Sequence, residues 1–236
     1  MIYVMSDIHG NDVRYRSVMK QIKLKPEDHL YILGDVVDRF PDGLGILRET
    51  MKVPNITLLL GNHEYMMWNA ITHPEDEDAR LNWFWNGGGI TYTSFKYCNK
   101  KYKKEVLDYI AQLPVNVEIN VNGRDYILTH AAPEEMYEGY KNQYKSKKLF
   151  AVWHRLRRHD YTPEGKTVIF GHTPTYEYSF QWPMRVWYGQ NRIGIDCGCA
   201  DLQTGRLGCL RLDDMKEFYS EEDFDEEYVG ESWTEE

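Results

Sequence analysis

Three short apolar runs near the start of the chain constrain its fold more than any other feature. Each run is rich in β-branched and aromatic residues and almost continuously apolar, which is typical of strands covered on both faces of a sheet. The runs are IYVMS at 2–6, HLYILG at 29–34 and ITLLLG at 56–61. Each is followed directly by a polar residue, and these residues are Asp7, Asp35 and Asn62. We therefore expect three buried strands whose carboxyl ends carry polar side chains.

The segments between these runs have helical spacing. Val13, Val18 and Ile22 recur at helical intervals within the segment 11–24, and the segment 43–51 can supply a second helix. Strand–helix–strand units of this kind form a parallel sheet with right-handed crossovers. In open α/β sheets, ligands bind beyond the carboxyl ends of the strands. The polar residues that follow the three runs are expected to lie at that edge.

The remainder of the chain adds further helices and a second set of strands. Periodicity predicts helices at 63–72, 78–85, 101–112 and 147–158, a strand at 167–171 and short strands between 184 and 219. Alternating apolar and polar residues on both sides of Asn122-Gly123 predict a hairpin with a type I′ turn. This order of elements predicts an α/β fold in which two sheets pack face to face and helices lie outside.

The negative charge of the chain is concentrated at its end. The net charge is -9, yet residues 213–236 contain 12 acidic residues and one basic residue, whereas residues 1–212 contain 25 acidic and 27 basic residues. We expect one domain over 1–212 and an acidic tail over 213–236 that could contain a last strand at 215–219. The body is nearly neutral, so the net charge does not argue against anionic ligands.

Composition argues against several classes of protein. Hydrophobic residues make up 42% of the chain, which argues against disorder, and no apolar stretch reaches the roughly 18 residues that a membrane span needs. The first residues lack the pattern of a signal peptide. The four cysteines form no CxxC pair, which favours reduced thiols. We expect a cytoplasmic protein that binds neither nucleic acid nor membranes, and the sequence leaves its oligomeric state open.

Five short segments at predicted strand ends carry the same kinds of side chain. They are Asp7–Gly10, Gly34–Arg39, Gly61–Glu64, Thr129–Ala131 and Gly171–Pro174. Their carboxylate, amide and imidazole groups suit Mn²⁺, Fe or Zn²⁺ better than Ca²⁺ or Cu(I). They are too many for one tetrahedral ion but fit two ions that share a bridging carboxylate. Pairs of ions roughly 3.5–4 Å apart serve in the hydrolysis of phosphate esters.

The order of these segments resembles the calcineurin-like metallophosphoesterases. Within them, the chain resembles the phosphoprotein-phosphatase family, and especially the small bacterial and phage serine/threonine phosphatases of the bacteriophage lambda type. The family pattern is GDxHG, GDxVDRG, GNHE, a later H before small residues, and GH. This sequence reads SDIHG, GDVVDRF, GNHE, THAA and GHTP. The resemblance implies a four-layer α/β/β/α sandwich with two mixed β-sheets.

The resemblance also implies a role for each motif residue. The metal ligands would be Asp7 and His9 for the first ion, Asp35 as the bridge, and Asn62, His130 and His172 for the second ion. The other site residues would be His63 as general acid, Asp38 as its hydrogen-bond partner, and Arg39 and Arg155, with Asn62, as phosphate-binding groups. Asp196 would lie behind the metal ligands. A general acid protonates the leaving oxygen, and planar guanidinium groups match phosphate.

The reaction implied by the resemblance is phosphomonoester hydrolysis. Two divalent metal ions, with Mn²⁺ expected first and Fe or Zn²⁺ as alternatives, would share a water molecule that loses a proton and attacks phosphorus in line. We therefore expect a serine/threonine protein phosphatase. Its substrate would be a phosphorylated protein or peptide, or a small phosphorylated metabolite.

Two positions depart from the family pattern and leave a second activity open. Leu60 stands directly before GNHE, where the family's phosphatases often carry an arginine, so one phosphate-binding arginine is missing. Phe40 replaces the glycine that usually follows the Asp-Arg pair. The family's diadenosine-tetraphosphate hydrolases also carry an apolar residue before GNHE, but they lack the aspartate that is Asp38 here. The alternatives are a bis(5'-nucleosyl)-tetraphosphatase, which hydrolyses dinucleoside polyphosphates, and a non-catalytic phosphate-binding module.

Three further features receive structural interpretations or remain open. Glu64, which lies in the first turn after a strand, is expected to be a structural charge near a helix N-terminus. Tyr137, Tyr140 and Tyr144 could form a wall of the substrate cleft. The acidic tail is expected to be a solvated end, with a flap over a cationic cleft as the alternative.

Overall fold

A computed structural model describes residues 1–221, which form two five-stranded β-sheets. The first sheet has the strand order β10-β9-β1-β2-β3. Its strands are β1 (Ile2–Met5), β2 (His29–Ile32), β3 (Ile56–Leu58), β9 (Gly208–Arg211) and β10 (Lys216–Tyr219). β1, β2 and β3 are parallel, and β9 and β10 extend the sheet in antiparallel pairing. The three apolar runs at the start of the chain thus form the parallel part of this sheet, as expected.

The second sheet has the order β4-β5-β6-β8-β7. Its strands are β4 (Asn116–Val121), β5 (Arg124–Thr129), β6 (Lys166–Phe170), β7 (Trp187–Gly189) and β8 (Arg192–Gly194). β5, β6 and β8 are parallel, whereas β4 and β7 pair antiparallel at the two edges. Asn122 and Gly123 both have positive φ, at 51° and 78°, as the two central residues of a type I′ turn require. The predicted hairpin is therefore confirmed.

Helices cover the outer faces of the two sheets. They are α1 (Asp12–Ile22), α2 (Gly43–Lys52), α3 (Asn62–Thr72), α4 (Glu77–Trp83), α5 (Gly89–Lys96), α6 (Lys100–Gln112) and α7 (Lys147–Trp153). A π-helical turn at Phe84–Gly88 joins α4 to α5. The side chains of Asn11, Asn99 and Ser146 accept backbone N–H groups at the starts of α1, α6 and α7, which satisfies donors that a helix leaves unpaired.

The helix predicted at 147–158 is shorter than expected. It ends at Trp153 because His154 adopts an extended backbone, with φ at -73° and ψ at 121°. The chain then runs as an irregular segment, and the Arg155 guanidinium donates to the carbonyl of His172. The helical pattern of the sequence continues to 158, but the helix ends at Trp153, where the following segment contacts the loop that carries His172.

The layer between the sheets is apolar and draws on both of them. Val4, Leu33 and Leu210 from the first sheet pack in one buried cluster with Leu128 and Ile193 from the second. The sheets therefore face each other, and with the outer helices they give the expected α/β/β/α sandwich. This packing holds the loops that follow β1, β2, β3, β5 and β6 at one edge of the sandwich.

The end of the described chain belongs to the first sheet. β10 pairs with β9 along the register Lys216–Arg211 to Tyr219–Gly208, so a last strand does form near 215–219. The rest of the acidic tail, including its interpretation as a flap, lies outside the described residues. Within 1–221, no helix is long and apolar enough to cross a membrane.

Candidate metal centre

The loops that follow five parallel strands meet at one edge of the sandwich. Backbone hydrogen bonds tie them together: the N–H of Asp7 donates to Gly34, that of His9 to Asp35, and that of Gly171 to His130, at 2.8 to 3.2 Å. The six residues that the sequence suggested as metal ligands are all buried at this edge. They are Asp7, His9, Asp35, Asn62, His130 and His172.

Asp35 joins two clusters of donor atoms. One contains His9, Asp35 and His63, and the other contains Asp35, His130 and His172; within each cluster the donor atoms lie within 4.8 Å of one another. Asn62 belongs to the second cluster, because its Oδ1 lies 2.8 Å from His130 Nε2 and 2.9 Å from His172 Nδ1. A carboxylate common to two clusters is the arrangement that a bridging ligand requires.

Each imidazole of the proposed ligand set is held by one backbone carbonyl. His130 Nδ1 lies 2.7 Å from the carbonyl of Leu33, His9 Nδ1 lies 3.3 Å from that of Val37, and His172 Nε2 lies 3.2 Å from that of Trp153. A nitrogen that donates to a carbonyl fixes the tautomer and leaves the other nitrogen with its lone pair free. That other nitrogen faces the proposed ligands in all three rings: His9 Nε2 lies 3.8 Å from Asp35 Oδ2, and His130 Nε2 and His172 Nδ1 lie 2.8 and 2.9 Å from Asn62 Oδ1.

Burial and neighbouring groups together set the charge of these side chains. Burial lowers the pKa of His9 and of His172 well below the ordinary value, so both rings are neutral at pH 7, as metal ligation requires. Burial also opposes ionisation of Asp35, but the imidazoles of His130 and His63, with the N–H that His63 donates to Asp35 Oδ1 at 3.0 Å, outweigh it and lower the pKa of that carboxyl. Burial raises the pKa of Asp7. The neutral rings of His9 and His172 together with carboxyl oxygens fit divalent cations.

The backbone around the site is strained. Six site residues adopt left-handed φ values: Asp7 (56°), His9 (53°), Asp35 (56°), Asp38 (73°), Arg39 (70°) and His172 (62°). Each such conformation costs about 1–3 kcal/mol in a residue other than glycine, and strain of this kind is concentrated at functional sites. The surrounding fold offsets this cost to hold the side chains together.

Two glycines allow the carboxylates to approach the backbone. A Cβ on Gly61 would lie 2.2 Å from Asp35 Oδ1, and a Cβ on Gly171 would lie 2.2 Å from Asp7 Oδ2. Both distances are far shorter than two non-bonded heavy atoms can approach each other. Glycine is therefore required at these positions by the packing of the site.

Glu64 has a more specific role than the structural charge near a helix N-terminus that the sequence suggested. Its carboxylate is fully buried and accepts four backbone N–H groups, those of Asp35, Val36, Val37 and Gly61, at 2.8 to 3.3 Å. Burial and the Asp35 carboxylate raise the pKa of Glu64 to about 7, against the effect of these donors. Glu64 thus holds the Asp35 loop and the start of α3 in one geometry, a role that the sequence analysis missed.

Asp38 and His63 form a buried pair beside the shared carboxylate. His63 Nδ1 lies 2.7 Å from Asp38 Oδ2, and His63 Nε2 lies 3.9 Å from Asp35 Oδ2. Burial lowers the pKa of His63, but the carboxylates of Asp35 and Asp38 outweigh it and raise the pKa above the ordinary value. The pair therefore favours a protonated imidazole at the cluster.

Two residues that the sequence analysis did not single out hold Asp38. The indole N–H of the buried Trp83 lies 2.9 and 3.1 Å from the two carboxylate oxygens of Asp38, and the Thr91 hydroxyl accepts the Asp38 N–H at 2.9 Å. Gly88 packs against the Trp83 ring, since a Cβ there would lie 2.3 Å from the indole nitrogen. The NGGG segment at 86–89 was the available signal, because such a run implies close packing.

The two arginines line the cluster with exposed side chains. Arg39 Nη2 lies 3.3 Å from His63 Nε2, and Arg155 Nη1 donates to the carbonyl of His172 at 3.2 Å. Asp196 is buried, and its carboxylate accepts the N–H of Gly198 at 2.9 Å. Burial and the Asp7 carboxylate raise the pKa of Asp196 well above its ordinary value.

The two departures from the family pattern have different structural settings. Leu60 is buried in the apolar cluster between the first sheet and its helices. Phe40 is half-buried, and its N–H donates to the carbonyl of His9 at 3.0 Å, so it adjoins the site.

Comparisons with known proteins agree on one family. The family model for calcineurin-like phosphoesterases matches residues 1–196 of the chain. Serine/threonine-protein phosphatase 2 of Salmonella typhimurium is 30% identical over 139 residues, which cover 58% of this chain and 61% of that protein. The symmetrical bis(5'-nucleosyl)-tetraphosphatase of Erwinia tasmaniensis is 41% identical over 64 residues, which cover 26% of this chain and 23% of that protein.

A solved structure shows the same fold. The crystal structure of a metallophosphoesterase from Sphaerobacter thermophilus superposes with a TM-score of 0.55 at 17% identity and covers 92% of this chain and 86% of that one. At that identity the likeness concerns the fold alone. The first relative is matched over about three fifths of its own length.

Proposed function

Because the chain belongs to the calcineurin-like phosphoesterase family, we propose that it is a metal-dependent phosphomonoesterase that removes phosphate from phosphoserine or phosphothreonine in proteins. The observation that supports this substrate most is the pair of Asp38 and His63, whose side chains lie 2.7 Å apart beside the candidate metal centre. An alkyl phosphate has a poor leaving group, so its hydrolysis needs a general acid at the leaving oxygen. By the family pattern that the sequence resembles, diadenosine-tetraphosphate hydrolases lack the aspartate of this pair.

We propose that the donor clusters hold two divalent ions, Mn²⁺ in the first place. Their ligands would be Asp7, His9, Asp35, Asn62, His130 and His172. When bound, such ions supply an activated water and stabilise negative charge on the phosphate oxygens. Carbonyl contacts and Glu64 fix the ligands before any ion binds, so little reorganisation is needed on loading.

The remaining side chains would act on the phosphate itself. His63 would donate its proton to the leaving oxygen, and Asp38 would keep that imidazole protonated and oriented. The exposed guanidinium groups of Arg39 and Arg155 would bind the phosphate oxygens, where their planar fork matches the charge that develops during transfer. Asp196 would not touch the phosphate and would act only by positioning the proposed metal ligands.

The test compares His63→Asn with the wild type on substrates of different leaving groups. We expect the variant to lose most turnover of a phosphoserine peptide and much less turnover of 4-nitrophenyl phosphate, with added Mn²⁺, because the latter leaving group needs little protonation. His159→Asn, at an exposed position, is the matched control. His63 also belongs to the first donor cluster, so metal content is measured in the same samples. Loss of metal from the variant would make His63 a ligand and refute its role as the acid.

A bis(5'-nucleosyl)-tetraphosphatase is the second candidate. It is favoured by Leu60, which leaves the site without an arginine before GNHE, and by the local likeness to the Erwinia tasmaniensis enzyme. Turnover of a phosphoserine peptide and of diadenosine tetraphosphate is measured side by side. A preference for the peptide supports the proposal, a preference for the nucleotide supports the second candidate, and no turnover of either substrate, or of 4-nitrophenyl phosphate, indicates a non-catalytic module.

A further inference from the structure

A cavity of about 780 Å³ opens beside the candidate metal centre, and of the residues assigned to the chemistry only Arg155 lines it. We propose that it binds a second anionic group of the substrate, namely the acidic side chains that flank the phosphorylated residue of a phosphopeptide. This inference rests on the proposed function and names the class of peptide that the site would take. A second phosphate of a nucleoside polyphosphate offers similar chemistry, and the experiment below separates the two sources.

The cavity begins at the loop that carries His172. Trp153 and Arg155 line it, and both contact that loop: the carbonyl of Trp153 lies 3.2 Å from His172 Nε2, and the Arg155 guanidinium donates to the His172 carbonyl. The ring of Trp153 also meets the His172 ring edge-on, with centroids 6.0 Å apart. A substrate with its phosphate at the donor clusters can therefore extend directly into the cavity.

Three arginines give the cavity a positive charge. Arg155, Arg157 and Arg158 all line it, and the single acidic residue in its lining is Glu177. Arg157 and Arg158 are exposed, and within residues 1–221 neither forms an ion pair with a carboxylate. Guanidinium groups bind carboxylates and phosphates through paired hydrogen bonds, so these two are free to bind an anionic ligand.

The backbone that carries these arginines is fixed although their side chains are free. The Arg157 N–H donates to the Asp160 carboxylate at 2.7 Å, and the Arg157 carbonyl accepts the Arg192 guanidinium. Both contacts use main-chain atoms of Arg157, so replacing its side chain leaves them in place. The segment after α7 thus presents its guanidinium groups from a defined position, which favours recognition over non-specific attraction.

Aromatic side chains form another part of the wall. Tyr144, Tyr176 and Tyr178 line the cavity, and 41% of the Tyr176 surface is exposed. The volume lies within the range of about 300–1,000 Å³ that is typical of ligand sites. It exceeds the space that one phosphate needs and leaves room for the side chains that flank a phosphorylated residue. Of the three tyrosines expected at the cleft, Tyr144 lies here.

The double variant Arg157→Gln/Arg158→Gln tests the inference in the metal-loaded protein. Arg124→Gln is the matched control, because Arg124 is an exposed arginine at the opposite end of β5 from His130. Four substrates are compared: a phosphoserine peptide flanked by Glu, the same peptide flanked by Gln, diadenosine tetraphosphate and 4-nitrophenyl phosphate.

We expect the double variant to lower kcat/KM for the Glu-flanked peptide about 10-fold, mainly through a higher KM. The kcat/KM values for the Gln-flanked peptide and for 4-nitrophenyl phosphate should change less than about 2-fold. The loss should shrink at high salt, since the contacts are solvent-exposed. If kcat/KM fell for diadenosine tetraphosphate alone, the second anionic group would come from a nucleotide and not from a peptide, which would overturn the proposal. Equal losses on all substrates, or none, would overturn the inference itself. Failure of the proposed function is distinct, because the wild-type protein would then hydrolyse neither phosphoserine peptide, whatever the flanking residues.

Discussion

Replacing Trp83 with phenylalanine should weaken the general acid without touching the metal ligands. The indole N–H is the contact that fixes both oxygens of Asp38, and Asp38 in turn fixes His63. Phenylalanine keeps an aromatic ring in the buried space but removes the donor. The Asp38 carboxylate can then turn away from the imidazole that it orients.

The size of the effect follows from the contact that is removed. A hydrogen bond to a charged group contributes about 1.5–3 kcal/mol, which corresponds to about 10- to 100-fold if all of it is expressed in the transition state. Because the Thr91 hydroxyl still holds the backbone of Asp38, we expect the lower limit, an approximately 10-fold fall in kcat for a phosphoserine peptide. KM should change little, since Trp83 is buried behind the dyad and has no exposed surface for substrate.

The assay is steady-state kinetics on two substrates together with metal analysis. Hydrolysis of 4-nitrophenyl phosphate should fall less than about 2-fold, because its leaving group needs little protonation. Trp85→Phe is the matched control, since Trp85 lies two residues away and 85% of its surface is exposed. Equal losses on both substrates, or a loss of metal, would show that Trp83 supports the fold alone and would refute the reasoning.

Three further substitutions test other parts of the site. His63→Asn should lower turnover of alkyl phosphates by about 10²- to 10⁴-fold while metal content stays unchanged, and unaltered turnover would contradict its role as the acid. Asp35→Asn should empty at least one metal site, which elemental analysis of the purified variant would reveal; full metal occupancy would rule out the bridge. Glu64→Gln places an amide NH₂ among four N–H donors, so metal affinity should fall about 10- to 100-fold by metal titration, and wild-type affinity would refute the positioning role.

The parallel part of the first sheet could be predicted because local pattern and tertiary structure agree there. Continuous apolar runs such as ITLLLG suit strands covered on both faces, and Asn122-Gly123 fits a type I′ turn by its own conformational preference. The proposed ligands could be collected for the same reason, because parallel strands bring their carboxyl ends to one edge.

The features that could not be predicted depend on contacts between distant segments. Trp83 reaches Asp38 across 45 positions of sequence, and no local pattern marks a buried indole as a donor to a particular carboxylate. α7 ends at Trp153, where the following segment turns to contact the His172 loop, although its helical pattern continues. Glu64 reads locally as a helix-start charge, whereas three of its four N–H donors lie 27 to 29 residues away.

The number of divalent ions that hydrolysis requires tests the central claim most directly. Protein freed of metal by chelation is titrated with Mn²⁺, and both bound metal and hydrolysis of 4-nitrophenyl phosphate are followed. The shared carboxylate of Asp35 predicts no activity without metal and full activity at two bound ions per chain. Activity in the metal-free protein, or full activity with a single bound ion, would contradict a dinuclear phosphoesterase site.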